Sequence, residues 1–547
     1  MRFDDILKAI GEFGPYQRRI YFFICLPIIF IGISDINNAL LLFPPKHRCN
    51  GNSVPGTITN YSDVGTEQTT NISDGYIQDT EADECFTRAV NSSDRGPVTR
   101  PCTSWTYDQS VFLETIVSKY DLVCESAAIP AYMQIFMYSG ALAGSLCQGV
   151  FADRFGRQRV ICCSLVLVFL SGFASAWAPN YYVFAILRFI QIMTSRGVYI
   201  SSFILAIELV GPSKRQWAGF LFNYPYSAGI AMLAGIGYGL RHWKYIQIAC
   251  SAPVLLFLIY WWIIPESPRW LISHGKVEQA RTTILKMAAS SKTVNCVPSH
   301  ENMVEKIDRA VQEHSMMDYF KRRSLLCQSL VIFFNCFVVF HCFFGFTLNT
   351  GNLAGNFYLN VLLCGLADFP GYTIALFSAG RVGRKKLYIS GMAVAGVSLL
   401  GSGVTSILAT GDFKLVPIVL AMIGKTGMAV GFSVIYVWSA ELFPTVVRNT
   451  GMGISTSLGN MGYMAAPGVA RLATVVPGRI GHAVPLFVFG FLSLIAALLT
   501  LSLPETQNAN LPETVAHAKA MIRKKQYQPS SSKEIVAERI DISLVNS

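Results

Sequence analysis

Charged side chains are scarce in this chain. Asp, Glu, Lys and Arg make up 14% of its 547 residues, whereas soluble proteins carry about 25%. A soluble chain of this length would need several domains with wide polar surfaces. The shortage of charge therefore excludes an ordinary soluble enzyme, a disordered scaffold and a nucleic-acid-binding module.

Patterns typical of enzymes are also missing. The sequence contains no zinc-ligand spacing and no nucleophile elbow. Gly424-Lys425-Thr426 imitates the end of a phosphate-binding loop, but Val419 stands where that loop needs its first glycine. We therefore expect no catalytic activity, no cofactor and no bound metal.

Apolar residues, at 52%, gather instead in long runs. A membrane-spanning helix needs about 20 mostly apolar residues. Among the runs that reach this length, the fourth and eleventh are the least clean, because polar residues interrupt them. The first run is not a cleaved signal peptide, because it is too long and contains Asp35, Asn37 and Asn38. The fold class predicted is an all-α membrane protein with twelve transmembrane helices. The predicted segments are residues 20–43, 130–151, 160–178, 181–207, 217–240, 243–264, 326–348, 355–379, 387–408, 414–438, 450–472 and 482–503.

Lys and Arg indicate the orientation of these segments, because cytoplasmic loops are enriched in them. The 2–3, 4–5 and 8–9 loops are basic, whereas the 3–4 and 7–8 loops contain neither residue; the 5–6 and 11–12 loops are weak exceptions. We therefore predict a cytoplasmic N-terminus (1–19), inter-bundle loop (265–325) and tail (504–547). The remaining regions are bundles at 20–264 and 326–503, with an extracellular loop at 44–129 inside the first.

The loop at 44–129 carries marks of an extracellular segment. It is polar, contains three N-glycosylation sequons and holds four cysteines, which in an oxidising compartment would form two disulfides in one of three pairings. The sequence does not choose among the pairings. The sequons begin at Asn60, Asn71 and Asn91, and the cysteines are Cys49, Cys85, Cys102 and Cys124.

Three landmarks recur in the same order in the two halves of the chain. The run Asp153-Arg154-x-Gly156-Arg157 matches Gly380-Arg381-x-Gly383-Arg384 at an offset of 227, and Glu208 with Arg215 matches Glu441 with Arg448 at 233. Pro265-Glu266-Ser267 matches Pro504-Glu505-Thr506 at 239. The repeat predicts two six-helix bundles that rock about a central substrate cavity.

The repeated residues are interpreted as a cytoplasmic gate. Glycines allow tight turns and close helix approach, and the glutamates can pair with the arginines to close the inner side. Because Gly380 replaces Asp153, the second lock should be weaker; the alternative is that the basic residues only fix topology. The predicted gating residues are Gly149, Asp153, Arg154, Gly156, Arg157, Glu208, Arg215, Arg381, Gly383, Arg384, Glu441 and Arg448.

Four charged residues are predicted to lie deep within helices: Asp35, Arg196, Asp368 and Lys425. Charge there costs roughly 2.5–3.5 kcal/mol on insertion scales and usually marks function, and rings on the same helix faces suit a bulky organic ion. The acids either attract a cation or neutralise the two bases, which would favour zwitterions; a pure anion is less favoured because the four charges sum to zero. Arg188 and His341 are interpreted as structural. The predicted substrate-binding residues are Asp35, Asn38, Arg196, Tyr199, Phe203, Phe343, Asp368, Lys425, Phe432, Tyr436 and Asn460.

The repeat resembles that of the major facilitator superfamily, and further motifs resemble its organic cation/anion/carnitine transporter family over residues 1–506. The resemblance implies a plasma-membrane carrier that moves small organic ions by alternating access without ATP. These motifs are Gly14-Pro15-Tyr16-Gln17-Arg18, Pro45-Lys46-His47-Arg48-Cys49, Pro265-Glu266-Ser267-Pro268-Arg269-Trp270-Leu271 and Ala440-Glu441-Leu442-Phe443-Pro444 with Arg448-Asn449.

The family pattern also bears on substrate charge. Its cation transporters carry an Asp in segment eleven and its anion and carnitine transporters usually an Arg, where this chain has Asn460. Arg196 matches the family's basic residue in segment four, whose usual acidic neighbour is gone, and Asp368 matches an acidic position, whereas Asp35 is acidic where the family is uncharged. Tyr199 and Phe203 match aromatic positions. Family members usually have six outer-loop cysteines, so one disulfide is expected to be missing.

We therefore expect a carrier of organic cations or carnitine-like zwitterions, working by facilitated diffusion or exchange in a lipid bilayer. A coupling ion, sodium or proton, is left open. One alternative is an organic anion exchanger of the same family; alternatives of another class are a channel or a non-transporting membrane sensor. No nucleic-acid partner is expected.

Overall fold

The computed structural model describes residues 3–50, 80–82, 85–89, 98–291, 293, 323–353, 355–408, 415–444, 447–476 and 478–507. Most of these residues are helical, because a helix satisfies its own backbone hydrogen bonds where lipid offers no partners. The helices of the first half are α1 (Phe3–Ile10), α2 (Pro15–Ile36), α3 (Asn38–Leu41), α4 (Ile116–Lys119), α5 (Ile129–Phe155), α6 (Arg157–Ser175), α7 (Tyr181–Glu208), α8 (Arg215–Leu221), α9 (Asn223–Leu240), α10 (Trp243–Ser251) and α11 (Tyr260–Ile263).

The second half repeats this succession of long helices. Two short helices precede it, α12 (Pro268–Ser273) and α13 (Val277–Ser290). The long helices are α14 (Arg323–Leu348), α15 (Phe357–Ser378), α16 (Arg384–Leu408), α17 (Leu415–Leu442), α18 (Arg448–Val475) and α19 (Gly478–Thr500).

Each of the twelve predicted membrane segments falls on helix, with differences at the ends and at three interruptions, the first of which is a turn at Asn37 between α2 and α3. The first membrane helix, α2, begins at Pro15, five residues before the predicted start, because proline suits the first helical position. The fifth segment is divided at Phe222 between α8 and α9. The sixth passes through a 3₁₀ stretch, Ala252–Ile259, between α10 and α11.

Ten helical stretches in the described residues are long and apolar enough to cross a membrane. The two predicted segments outside this set are the fifth and the eleventh. The fifth is split, and α18 is interrupted by polar side chains and glycines. Both nevertheless lie at the interface between the halves, where polar surface is covered by protein.

The two halves meet along two helix pairs. Helix α9 packs on α15, and α5 packs on α18. In the sequence repeat, α5 corresponds to α15 and α9 to α18, so the two contacts are related by exchange of the halves. This arrangement is what two parallel repeats facing each other should produce.

The described part of the outer loop forms small sheets tied by disulfides. β1 (His47–Cys49) pairs antiparallel with β5 (Trp105–Tyr107), while β3 (Phe86–Ala89) lies between β2 (Thr80–Ala82) and β4 (Val98–Pro101). Of the three pairings that the sequence allows, the structure has Cys49–Cys102 and Cys85–Cys124. The sequons at Asn60, Asn71 and Asn91 lie outside the described residues.

Candidate functional site

Asp35 on α2 and Arg196 on α7 form a buried ion pair. Their side chains are 0% and 6% exposed, so both charges depend on protein partners. The hydroxyl of Tyr226 on α9 donates to Oδ2 of Asp35 at 3.2 Å. Helices α2 and α9 approach closely because Gly32 and Gly229 lack a Cβ, which at either position would overlap the facing backbone. The second carboxylate oxygen, Oδ1, accepts no hydrogen bond from a described residue.

Rings from the second half cover this pair. The guanidinium of Arg196 lies 5.3 Å from the ring centre of Tyr463 and 5.7 Å from that of Phe344, and the two rings are 4.1 Å apart. The hydroxyl of Tyr463 donates to the backbone oxygen of Asp35 at 3.3 Å. We call Asp35, Arg196, Tyr226, Phe344 and Tyr463 the central cluster. It joins the two halves and combines one acid, one base and aromatic faces.

A second buried ion pair, Asp368 with Lys425, lies in the second half. The charged atoms are 3.4 Å apart and both side chains are 0% exposed. The ammonium of Lys425 also donates to the hydroxyl of Thr347 at 2.9 Å and lies 3.2 Å from the ring centre of Phe343. From the first half, Ser227 donates to Oδ2 of Asp368 at 2.7 Å. The second pair is therefore also linked across the halves.

The four deep charges thus neutralise one another in pairs. This corresponds to the second of the two arrangements left open by the sequence. Aromatic residues predicted for the site line the same interface: Phe432 stacks on Phe343 at 4.7 Å, and Tyr436 lies 6.5 Å from Phe203 across the halves. The hydroxyl of Tyr199 donates to Asn223 at 3.2 Å.

Two predicted asparagines occupy different settings. The side-chain oxygen of Asn38 accepts from Nε and Nη2 of Arg188 at 3.1 and 2.7 Å, so the structure places Asn38 in a structural network. Asn460 donates to the backbone oxygen of Thr456 in its own helix at 3.0 Å. Its side-chain oxygen is buried and has no hydrogen-bond partner among the described residues, as an acceptor in a ligand site would.

The first copy of the gate motif braces the end of the first half. Gly156 has φ +102°, and the following N–H groups of Arg157 and Gln158 donate to Oε1 of Glu266 at 2.9 and 3.3 Å. Burial raises the pKa of Glu266 above its usual range, although these N–H donors oppose the rise. Arg157 pairs with Glu208 at 3.5 Å.

The second copy has the same geometry. Gly383 has φ +99°, Arg384 and Lys385 donate their N–H groups to Glu505 at 3.0 and 3.2 Å, and Arg384 pairs with Glu441 at 3.2 Å. Each arginine–glutamate pair lies within its own half, the first pair in the first half and the second pair in the second half, so neither pair bridges the halves. A bridging contact comes from Nη2 of Arg384 to Gln216 of the first half at 3.4 Å.

The other predicted gating residues are less enclosed. Asp153 pairs with Arg157 at 3.0 Å, but its side chain is 77% exposed. A Cβ at Gly149 would meet nothing within 4 Å, so that glycine is not required for close packing. Arg154 and Arg381 are exposed, Arg215 begins α8, and Arg448 begins α18.

Aromatic contacts join the halves at the predicted outer end. Phe112, just after β5, packs at 5.4 Å on Phe357 at the start of α15, and the hydroxyl of Tyr358 donates to the backbone oxygen of Val111. Arg241 donates to that same oxygen at 2.9 Å. With the central and inner contacts, the halves touch at three levels, which describes a closed conformation.

Several residues in these sites were missed in the sequence. Tyr226 and Ser227 interrupt an apolar run with hydroxyl groups, which was an available signal. Glu266 and Glu505 stood in the repeat as landmarks, but their role as acceptors for N–H groups requires contacts over more than one hundred residues.

The known proteins to which this chain is similar are described as transporters or solute carriers. A family profile described as "Sugar (and other) transporter" matches residues 101–516. An organic cation transporter protein of Drosophila melanogaster is 35% identical, over 94% of each chain. Solute carrier family 22 member 3 of Rattus norvegicus is 30% identical, over 94% of this chain and 95% of its own. Organic cation/carnitine transporter 2 of Homo sapiens is 28% identical, over 94% and 93%.

Solved structures agree on the fold. The proton:xylose symporter XylE, a major facilitator superfamily protein bound to 6-bromo-6-deoxy-D-glucose, superposes with a TM-score of 0.62, covering 92% of this chain and 98% of its own at 18% identity. A partially occluded inward-open XylE from E. coli gives 0.60, covering 90% and 98% at 16% identity. These likenesses show the architecture of twelve membrane helices in two bundles.

Proposed function

This chain belongs to the organic cation/anion/carnitine transporter family of the major facilitator superfamily, and on that premise we propose that it carries small organic cations or zwitterions across the plasma membrane. The relatives are named as transporters, and a buried central site with no catalytic pattern agrees with transport rather than catalysis.

The observation that carries the proposal is the buried pair of Asp35 and Arg196 beneath the rings of Phe344 and Tyr463. An ammonium group can approach Oδ1 of Asp35, which lacks a hydrogen-bond partner among the described residues, and ring faces attract quaternary cations. A zwitterion can also offer its carboxylate to Arg196, so that neither buried charge is left unpaired.

Alternating access requires contacts that open while each half stays intact. The arginine–glutamate pairs lie within the halves and would hold each one rigid. Tyr463 to Asp35, Ser227 to Asp368 and the outer ring contacts lie between the halves and would break in turn as the bundles rock.

The proposed orientation has both termini in the cytoplasm and the disulfide-bonded loop outside, following the distribution of Lys and Arg. Transport proceeds by facilitated diffusion or exchange. The membrane potential would drive cations inward with about 2.3 kcal/mol per charge per 100 mV. A sodium or proton requirement is tested by the ion composition of the assay below.

Uptake into oocytes tests the proposal with a quaternary amine, carnitine and a dicarboxylate, each with and without sodium and at two pH values. We expect saturable uptake of the amine or carnitine that unlabelled substrate on the opposite side accelerates. Uptake confined to the dicarboxylate would support the anion exchanger instead. Flux without saturation or counterflow would indicate a channel. Ligand binding without any flux would indicate a non-transporting sensor.

Asp35→Asn examines the site, and Asp108→Asn, a change to an exposed carboxylate of the outer loop, is the matched control. At equal surface abundance, we expect only Asp35→Asn to impair uptake of the amine. If both variants transport every accepted substrate like the wild type, Asp35 is not a substrate partner.

A further inference from the structure

An open groove lies beside the start of the first membrane helix, away from the central cluster. Its volume is about 660 Å³, and it is bounded by the turn between α1 and α2 and by the exposed face of α8. Arg18 and Lys214 contribute its basic side chains, while Phe13, Trp217 and Leu221 contribute apolar surface. The turn between α1 and α2 and helix α8 both lie at the end of the bundle that we propose to be cytoplasmic.

The two basic groups have no acidic partner among the residues described. Arg18 donates through Nε to the backbone oxygen of Phe13 at 3.0 Å and lies 5.7 Å from the centre of the Phe13 ring. Lys214 is exposed. The one carboxylate of the lining, that of Glu12, accepts a hydrogen bond from the hydroxyl of Ser213, while the backbone oxygen of Glu12 accepts from the N–H of Gly211 at 2.8 Å. The lining therefore carries two basic side chains and one acidic side chain, a net positive charge, and neither cation forms an ion pair with a described residue.

The apolar part of the groove continues onto the outer surface of the bundle. Trp217 is 43% exposed and Leu221 37% exposed. Trp217 packs edge-on against Phe377 of the second half at 5.5 Å, and Phe377 is itself 53% exposed. Exposed tryptophan is typical of the boundary between lipid and water, so this surface suits an acyl chain better than water.

We propose that this groove binds an anionic phospholipid of the cytoplasmic leaflet. The headgroup phosphate lies between Arg18 and Lys214, and an acyl chain runs along Trp217 and Leu221. Basic pockets between membrane helices on the cytoplasmic side are suited to anionic headgroups. The leaflet follows from the proposed orientation, whereas the chemistry follows from the groove itself. A free phosphate compound would use the two cations but not the apolar surface.

Binding is measured on the full-length protein in mild detergent by native mass spectrometry, so the result does not depend on transport. The probes are dioleoyl phosphatidylserine, dioleoyl phosphatidylcholine and glycerophosphoserine, which has the same headgroup without acyl chains. We expect phosphatidylserine to bind the wild type most tightly. Equal retention of phosphatidylserine and phosphatidylcholine would overturn the proposal, and glycerophosphoserine binding as tightly as the lipid would overturn its acyl-chain part.

Paired substitutions locate the site. Each basic residue near an anionic surface contributes about fivefold to binding, so Arg18→Gln with Lys214→Gln should weaken phosphatidylserine binding roughly 25-fold. Lys8→Gln with Arg19→Gln removes the same charge from neighbouring positions outside the lining and should leave binding unchanged. The charge-conserving pair Arg18→Lys with Lys214→Arg should retain it. An equal loss in the control pair would assign binding to general surface charge and refute the groove.

Discussion

Replacing Asp35 by Asn should strongly destabilise the protein, because the change leaves Arg196 as a buried cation without its partner. The two side chains are 0% and 6% exposed, so water cannot compensate for the lost carboxylate. Removing one member of a buried pair costs about 3–5 kcal/mol, whereas an exposed pair contributes about 0–1 kcal/mol. Asp153, whose side chain is 77% exposed and pairs with Arg157, provides the matched control in Asp153→Asn.

A double-mutant cycle separates the pair from its surroundings. Asp35→Asn with Arg196→Gln leaves no unpaired charge, so it should be less destabilised than the sum of the two single variants. The measurement is the thermal unfolding of each purified variant in the same detergent. Strictly additive effects, or an Asp35→Asn variant that melts together with Asp153→Asn, would refute the reasoning that this ion pair stabilises the centre.

The same variants report on substrate binding. Removing a buried charge that contacts a ligand costs about 2–5 kcal/mol, so the KM of Asp35→Asn for a quaternary amine should rise by about 30-fold or more. Uptake is compared at equal surface abundance to remove the effect of folding. An unchanged KM with reduced stability would make Asp35 a structural residue only.

Three other features give predictions, each measured by thermal unfolding. Gly156→Ala should lower the free energy of unfolding by about 1–3 kcal/mol, because φ +102° with ψ +153° is a region essentially restricted to glycine and a Cβ would overlap the carboxylate of Glu266. Gly149→Ala, with open space around the added methyl group, should cost far less, and equal losses would contradict this. Glu266→Gln should lower the free energy of unfolding by about 1.5–3 kcal/mol, because it replaces a charged acceptor of two N–H groups by a neutral one. An unchanged melting temperature would show that these hydrogen bonds do not stabilise the fold. Lys425→Met should lower the free energy of unfolding by about 3–5 kcal/mol, because it leaves Asp368 buried and unpaired. A variant that melts like the wild type would contradict this.

The fold could be predicted from the sequence because each membrane helix satisfies its backbone internally and needs only a long apolar run. The repeat of glycine, arginine and glutamate positions likewise indicated two related halves, and the comparisons confirm the family. The hydropathy pattern did not reveal the break at Phe222, since that depends on how α8 and α9 are packed rather than on apolar content.

The site was only partly predictable, because pairing depends on how helices rotate against one another. Asp35 and Arg196 are separated by 161 positions in the chain, and the sequence left open whether they would meet. Tyr226 completes the site through the glycine crossing of α2 and α9, which has no local sequence pattern. Asn38 is among the predicted substrate-binding residues, but in the structure its side-chain oxygen accepts hydrogen bonds from Arg188 on α7.

The distribution of contacts gives a physical reason for the motion that we propose. Among the described residues, four ion pairs with mostly buried side chains lie within the halves: Asp35 with Arg196, Arg157 with Glu208, Asp368 with Lys425 and Arg384 with Glu441. The contacts between the halves include hydrogen bonds from Tyr463 and Ser227 and packed rings. A neutral hydrogen bond contributes about 0.5–1.5 kcal/mol net, well below the cost of breaking a buried ion pair. The halves can therefore separate at one end at moderate cost while their internal pairs stay intact, and a substrate that enters the central cluster meets charges already held in place.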